Sequence, residues 1–181
     1  MHKMSESIEN FFTVTKKPEG KYRQKRILFI LGYIIFGLLY FFGLFAAHLY
    51  AFIAFIILLE WILIFFTWRY ASIEYKYEIA SSNVNFYTIY GGKSKKLVLT
   101  RHIKDFEEIK PLDSTVKDEI KRGIYKQVND FRSSENSEDG YYATYTDENE
   151  KQAIVCFDGS QKTLKLFKYY NSKTVIKETR Y

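Results

Sequence analysis

The sequence predicts a membrane-anchored α+β protein: a two-helix transmembrane hairpin, then an antiparallel sheet capped by a C-terminal helix. Three observations predict it. Residues 27–68 run for forty-two positions with a single formal charge, Glu60. Basic residues flank that stretch and are missing from its middle. From Ser72 onward, the apolar residues alternate with polar ones at the period of a strand.

A helix crosses hydrocarbon with about 20 residues. Forty-two residues in one helix would reach about 63 Å, roughly twice the thickness of the core. Two spans fit, at 27–46 and 49–68, with the turn near Ala47 and His48. No Gly-Pro or Asn-Gly pair marks that turn. Ile, Leu and Phe dominate both spans, and tyrosines and tryptophans are scattered among them.

The flanks predict the orientation. Lys16, Lys17, Lys21, Arg23, Lys25 and Arg26 precede the first span, Arg69 and Lys76 follow the second, and the turn has neither Lys nor Arg. Positive flanks stay in the cytoplasm. The expectation is a multi-pass protein of the inner (plasma) membrane with both termini cytoplasmic. Trp68 and Tyr70 would then sit at the inner headgroup level, and Tyr50 at the outer one. A cleaved signal peptide fits poorly, since the apolar run starts late and continues too long. A soluble protein seldom keeps two buried helices so free of charge. A re-entrant hairpin stays open.

Glu60 falls near the middle of the second span, where a charged carboxylate is costly and faces protein or water. A hairpin folded about His48 sets Glu60 opposite Phe36, within a turn of Tyr33, Gly37 and Tyr40. Tyr33 and Tyr40 are therefore its candidate hydrogen-bond partners. Two roles follow: a neutral carboxyl holding the hairpin or a homo-oligomer together, or an ion or proton site in an oligomeric transporter or channel. Gly43, Ala47, Ala51 and Ala54 form a small-residue series that suits close helix approach, within the hairpin or between copies.

Residues 1–26 read as a basic cytoplasmic tail, with Phe11 and Phe12 positioned to touch the bilayer and the basic residues, Arg26 among them, facing anionic headgroups. Residues 69–181 read as a cytosolic domain. Ile73, Tyr75, Tyr77 and Ile79 alternate as a first strand. Val84–Tyr90 reads as a second, Gly91-Gly92-Lys93-Ser94 as a hairpin turn, and Lys95–Arg101 as a third. A fourth short strand is expected within 102–108. Asp113 or Ser114 caps a helix whose stripe is Val116, Ile120, Ile124 and Val128. Strands follow at 141–146 and 152–157, then a helix with Leu164, Phe167 and Tyr170 facing the sheet. Val175–Tyr181 reads as a strand or an extended tail.

The chain contains no phosphate loop and no metal-ligand spacing. His2, His48 and His102 fall in a tail, a membrane turn and a strand edge, and Cys156 is a lone cysteine that reads as an inert thiol. No catalytic residue, metal or cofactor is expected, and the chain does not read as an enzyme. From Arg69 on, twenty Lys and Arg stand against seventeen Asp and Glu. The positive charge forms no stripe, which argues against nucleic acid. The densest basic spot is Lys93, Lys95 and Lys96.

The segments Arg69-Tyr70-Ala71-Ser72-Ile73-Glu74-Tyr75-Lys76-Tyr77, Ile89-Tyr90-Gly91-Gly92-Lys93-Ser94-Lys95-Lys96, Asp105-Phe106-Glu107-Glu108-Ile109-Lys110-Pro111 and Val155-Cys156-Phe157-Asp158 resemble an uncharacterised Firmicutes family. Its members join a two-helix membrane hairpin to a cytosolic PH-like domain. Asp158-Gly159 departs from the Asn-Pro or Glu-Pro pair expected there. The resemblance covers roughly residues 25–175 and implies a PH-like fold and a membrane topology, with no catalytic residue.

The functional expectation is a membrane-anchored binding or scaffold module. Lys93, Lys95, Lys96 and Arg26 are its candidate contacts with anionic lipid or a protein partner, either another membrane protein or a second copy of the chain. The alternative is a transporter or channel subunit that uses Glu60.

Overall fold

Asn10–Thr15 forms a strand, β1, ahead of the membrane helices. This computed structural model describes residues 10–17, 19–147 and 149–176. The strand lies inside the segment read from sequence as a tail. Its Phe, Thr and Val residues favour extended backbone. Phe12 turns inward and packs against Tyr77, with ring centroids 5.7 Å apart, so it belongs to the protein core and not to the bilayer. Phe11 is 60% exposed. His2 lies outside the described residues.

Helix α1, Gly20–Ala46, starts before the apolar run and continues through it. The second apolar helix opens as a 3-10 turn at Tyr50–Phe55, continues as α2, Ile56–Thr67, and closes as a 3-10 turn at Trp68–Ala71. Both Tyr22–Ala46 and Tyr50–Ala71 are long and apolar enough to cross a membrane, and neither is buried inside the protein. Their outward apolar faces require a non-aqueous solvent, and the protein is membrane-associated.

The turn falls where the sequence placed it, and the structure explains the missing glycine. His48 itself takes the left-handed conformation, φ 57°. The His48 amide donates to the Phe45 carbonyl at 3.1 Å and the Leu49 amide to the Leu44 carbonyl at 2.9 Å. This is a Schellman closure with histidine at the position glycine usually holds.

The remaining chain builds two four-stranded sheets. The first has the order β1-β2-β3-β4, with β2 Ile73–Ala80, β3 Asn83–Tyr90 and β4 Ser94–His102. The second has the order β5-β7-β8-β6, with β5 Glu108–Pro111, β6 Gln127–Phe131, β7 Gly140–Thr146 and β8 Gln152–Asp158. Strand β1 runs antiparallel to β2, from Asn10↔Ile79 to Thr15↔Glu74. The two apolar helices are therefore an insertion between two paired neighbours of one sheet.

Several sequence expectations are corrected here. The fourth strand is at 108–111, because Ile103–Asp105 forms a 3-10 turn that buries Ile103. Helix α3, Ser114–Arg122, begins at Asp113, whose side chain accepts from the Val116 amide at 2.9 Å. It ends at Gly123, φ 74°. Ile124 and Val128 thus leave the helical stripe and lie exposed. Residues 127–131 pair in parallel with β8, from Gln127↔Ala153 to Phe131↔Phe157, so the second sheet is mixed rather than purely antiparallel.

The core lies between the sheets. Phe86 stacks on Phe131 at 5.0 Å and meets Phe157 at 5.8 Å. Helix α4, Gln161–Tyr170, starts with a Ser160/Thr163 capping box and buries Leu164 and Phe167 in that core, as its spacing predicts. Tyr170 is partly buried against the same cluster. The Asn171 side-chain amide then donates to the Ile103 and Phe106 carbonyls at 3.0 and 2.8 Å. Thr174 makes an isolated parallel bridge with Ile109, and residues 177–181 lie outside the described residues. Strand β8 is covered on both faces, since Ile154 and Cys156 pack with Val116 and Tyr142 in a second cluster. This is why its sequence is continuously apolar.

The chain forms two compact units. One joins the N-terminal segment to Lys16 with Glu74–Ile89 and Lys95 onward; the other comprises Lys17–Ile73 and Tyr90–Ser94.

Candidate functional site

In the sheet unit, the lysines of β4 have unequal surroundings. The Lys95 ammonium lies 2.8 Å from a carboxylate oxygen of Glu78 and 3.7 Å from the centre of the Tyr87 ring. Lys76 reaches the same carboxylate at 2.8 Å and lies 4.7 Å from the centre of the Phe11 ring. Glu78 is 6% exposed. Burial acts to raise its carboxyl, and the two ammonium groups outweigh burial, so it titrates below its ordinary value. Lys95 is thereby committed to an internal ion network and is not a freely offered charge. Lys96 is exposed and has no acidic partner among the described residues.

Strand β4 is one of the two outer strands of its sheet, β1 being the other. It is exposed from Ser94 through Val98, with Leu97 52% and Val98 42% exposed. A sheet edge carries unpaired backbone donors and acceptors that can pair with an added strand. Leu97 and Leu99 are two residues apart on this strand, yet only Leu99 is buried. The sequence does not reveal this, because which strand lacks a neighbour is set by sheet order.

In the hairpin unit, Lys93 is exposed in the turn after Gly91 and Gly92. Gly91, φ 59°, donates its amide to the Ser72 carbonyl at 2.8 Å. A Cβ there would stand 2.7 Å from the Arg69 Cβ, so only glycine fits. The Arg26 guanidinium lies 5.3 Å from the centre of the Trp68 ring, and that of Arg69 lies 4.8 Å from the centre of the Tyr70 ring. Cations over aromatic faces at the ends of apolar helices are suited to the headgroup region.

Among the described residues, no hydrogen bond joins Glu60 to Tyr33 or Tyr40. The Tyr33 hydroxyl pairs with the Thr67 hydroxyl at 2.7 Å, and Thr67 donates to the Leu63 carbonyl at 2.6 Å. Tyr40 stacks on Phe36 with centroids 6.2 Å apart. The Glu60 carboxylate instead occupies the space beside Gly37 that a side chain would otherwise fill. This also locates the close approach of the two helices at Gly37, whereas a Cβ on Gly43 would meet nothing within 4 Å. Glu60 further lines a groove of about 430 Å³ with Tyr33, Ile64 and Trp68.

Cys156 is fully buried, and burial pushes its thiol up to about 12, with Asp130 adding to the effect and Arg132 opposing it. A thiolate is required for nucleophilic chemistry, and this site disfavours one. The neighbouring polar groups are internal braces. Arg132 donates to both Asp130 carboxylate oxygens, at 2.9 and 2.7 Å, and the Ser133 amide donates to Asp158 at 2.8 Å. Among the described residues, no group of three or more His, Cys, Asp or Glu is arranged to hold a metal ion.

No curated protein and no solved structure is detectably similar to the chain. One family model matches residues 10–177, starting at β1 and covering the helical insertion and both sheets. The chain therefore belongs to the family described as Bacterial PH-like domain (DUF6106).

Proposed function

We propose that the protein is a membrane-anchored binding module whose PH-like sheet captures a protein partner along β4. The observation that carries this reading is the exposed outer strand, with Leu97 and Val98 beside the uncommitted Lys96. An extended partner segment adds backbone hydrogen bonds to such an edge, and side chains at alternate positions give specificity. The Lys96 charge favours a segment bearing a carboxylate beside it. No catalytic residue is assigned.

The module is a multi-pass protein of the plasma membrane with both chain ends in the cytoplasm. The basic flanks support this side. The pairing Thr15↔Glu74 supports an even number of crossings, since strands cannot pair through hydrocarbon and the chain must return to the side it left. In this reading Glu60 is a packing group of the hairpin, seated on Gly37.

A photo-crosslinking residue at Leu97, tested in native membranes, examines the reading. One reproducible adduct with a second protein, weakened by Lys96→Glu and missing when the probe stands at exposed Thr115 on α3, is the expected result. An adduct of twice the chain's mass identifies a second copy as the partner. No adduct at Leu97, or equal adducts at Leu97 and Thr115, overturns it.

A further inference from the structure

We propose that the groove between the two apolar helices, at the end carrying Lys25 and Tyr70, binds one anionic phospholipid. The proposal rests on the hairpin spanning the bilayer.

The groove measures about 680 Å³, and its wall includes Leu28, Phe29, Phe36 and Leu63. That volume lies within the range of about 300–1,000 Å³ typical of sites for small molecules. Its lining matches an acyl chain. The polar groups in the wall are already satisfied by each other, because the Tyr33 and Thr67 hydroxyls pair and Thr67 also holds the Leu63 carbonyl. The wall therefore offers an apolar ligand little unpaired polarity. Gly32 leaves part of the wall open, since a Cβ there would meet nothing within 4 Å.

The rim carries the opposite chemistry. Lys25 lines the groove and has no acidic partner among the described residues. Tyr70 lines it as well, and its hydroxyl accepts from Arg69 at 2.7 Å, which leaves the phenolic proton to donate. Arg26 stands on Trp68 in the same helical unit. Glu60 lines a different groove. A phosphodiester fits this rim: Lys25 supplies charge and Tyr70 a donor, with Arg26 and Arg69 reinforcing the positive field. Basic pockets between membrane helices bind anionic headgroups in this way. A zwitterionic headgroup would bring its own ammonium against three cations, so charge selects the anionic lipid.

The test begins with the full chain in membranes washed at alkaline pH. Release by the wash overturns the spanning reading together with this site. If the chain is retained, it is purified in detergent and titrated with phosphatidylglycerol and phosphatidylcholine of identical acyl chains, and native mass spectrometry counts the bound lipids. One phosphatidylglycerol retained about tenfold better than phosphatidylcholine is expected, from rim charges acting together. Lys25→Gln should remove most of that preference, Gly32→Leu should reduce retention of both lipids, and Lys165→Glu, at an exposed position on α4, should change neither. Equal retention of the two lipids, meaning annular lipid only, overturns the site while leaving the hairpin in the membrane. A preference unchanged in both Lys25→Gln and Gly32→Leu also overturns it, as does a wild-type dimer that excludes lipid.

Discussion

The Tyr22 hydroxyl donates to the Ala71 carbonyl at 2.5 Å and accepts the Ile73 amide at 3.0 Å. One side chain near the start of the first helix thus ties down the backbone just where the second helix becomes a strand. Tyr22 is 7% exposed and Ala71 1%, so water cannot readily replace either bond. The clamp holds the two ends of the insertion together, as the pairing of β1 with β2 requires.

Tyr22→Phe removes both bonds and leaves a buried carbonyl unpaired, at a cost of about 1–3 kcal/mol. Thermal unfolding in detergent should show the loss. Tyr40→Phe, whose hydroxyl makes no such bond among the described residues, should melt close to the wild type.

Gly37 and Glu60 should be energetically coupled, because the carboxylate fills the glycine's missing side chain. Gly37→Leu is expected to destabilise the hairpin, and in a Glu60→Ala background its cost should shrink by about 0.5–3 kcal/mol. Glu60→Gln keeps the shape and should leave the melting temperature nearly unchanged. Purely additive melts in the double-mutant cycle would remove the packing role, and ion flux lost in Glu60→Gln with assembly intact would establish a transport role instead.

The Glu78 network makes stability depend on acid. The carboxyl's folded value lies below its ordinary 4.5. Its stabilisation is therefore fully present above that ordinary value and is lost as pH falls through the lower folded one. Melting temperatures measured in detergent from pH 7 to 3 should fall less steeply below about pH 4.5 in Glu78→Gln than in the wild type. Equal slopes would exclude the network from acid unfolding.

Cys156 should resist alkylation at pH 8 in the folded protein and react after denaturation. Burial blocks reagent access and pushes the thiol up to about 12, so the rate difference should exceed about 100-fold. Rapid labelling of the folded chain would show an accessible thiolate and revive a chemical role for this residue.

The sequence alone determined the elements whose cause is local. Apart from Glu60, charge is missing from 27–68, whatever the chain does elsewhere, and only hydrocarbon accommodates that composition over such a length. Alternation over 73–79, the short apolar run at 153–157 and the cap at Ser160 act within a few residues, so β2, β8 and α4 were legible. Tertiary structure decided the rest. Asn10–Thr15 is a strand because Glu74–Ile79, almost sixty residues further on, offers it a partner. Residues 127–131 follow β8 rather than the helical stripe because Gly123 ends α3 and a parallel neighbour is waiting. Lys95 belongs to an internal ion network only because Glu78 and Tyr87 from two other strands converge on its ammonium. The carboxylate of Glu60 settles beside a glycine because helix packing, rather than spacing, chooses which residues meet. Local patterns set the backbone's preferences, whereas which groups touch depends on free energies shared between distant segments.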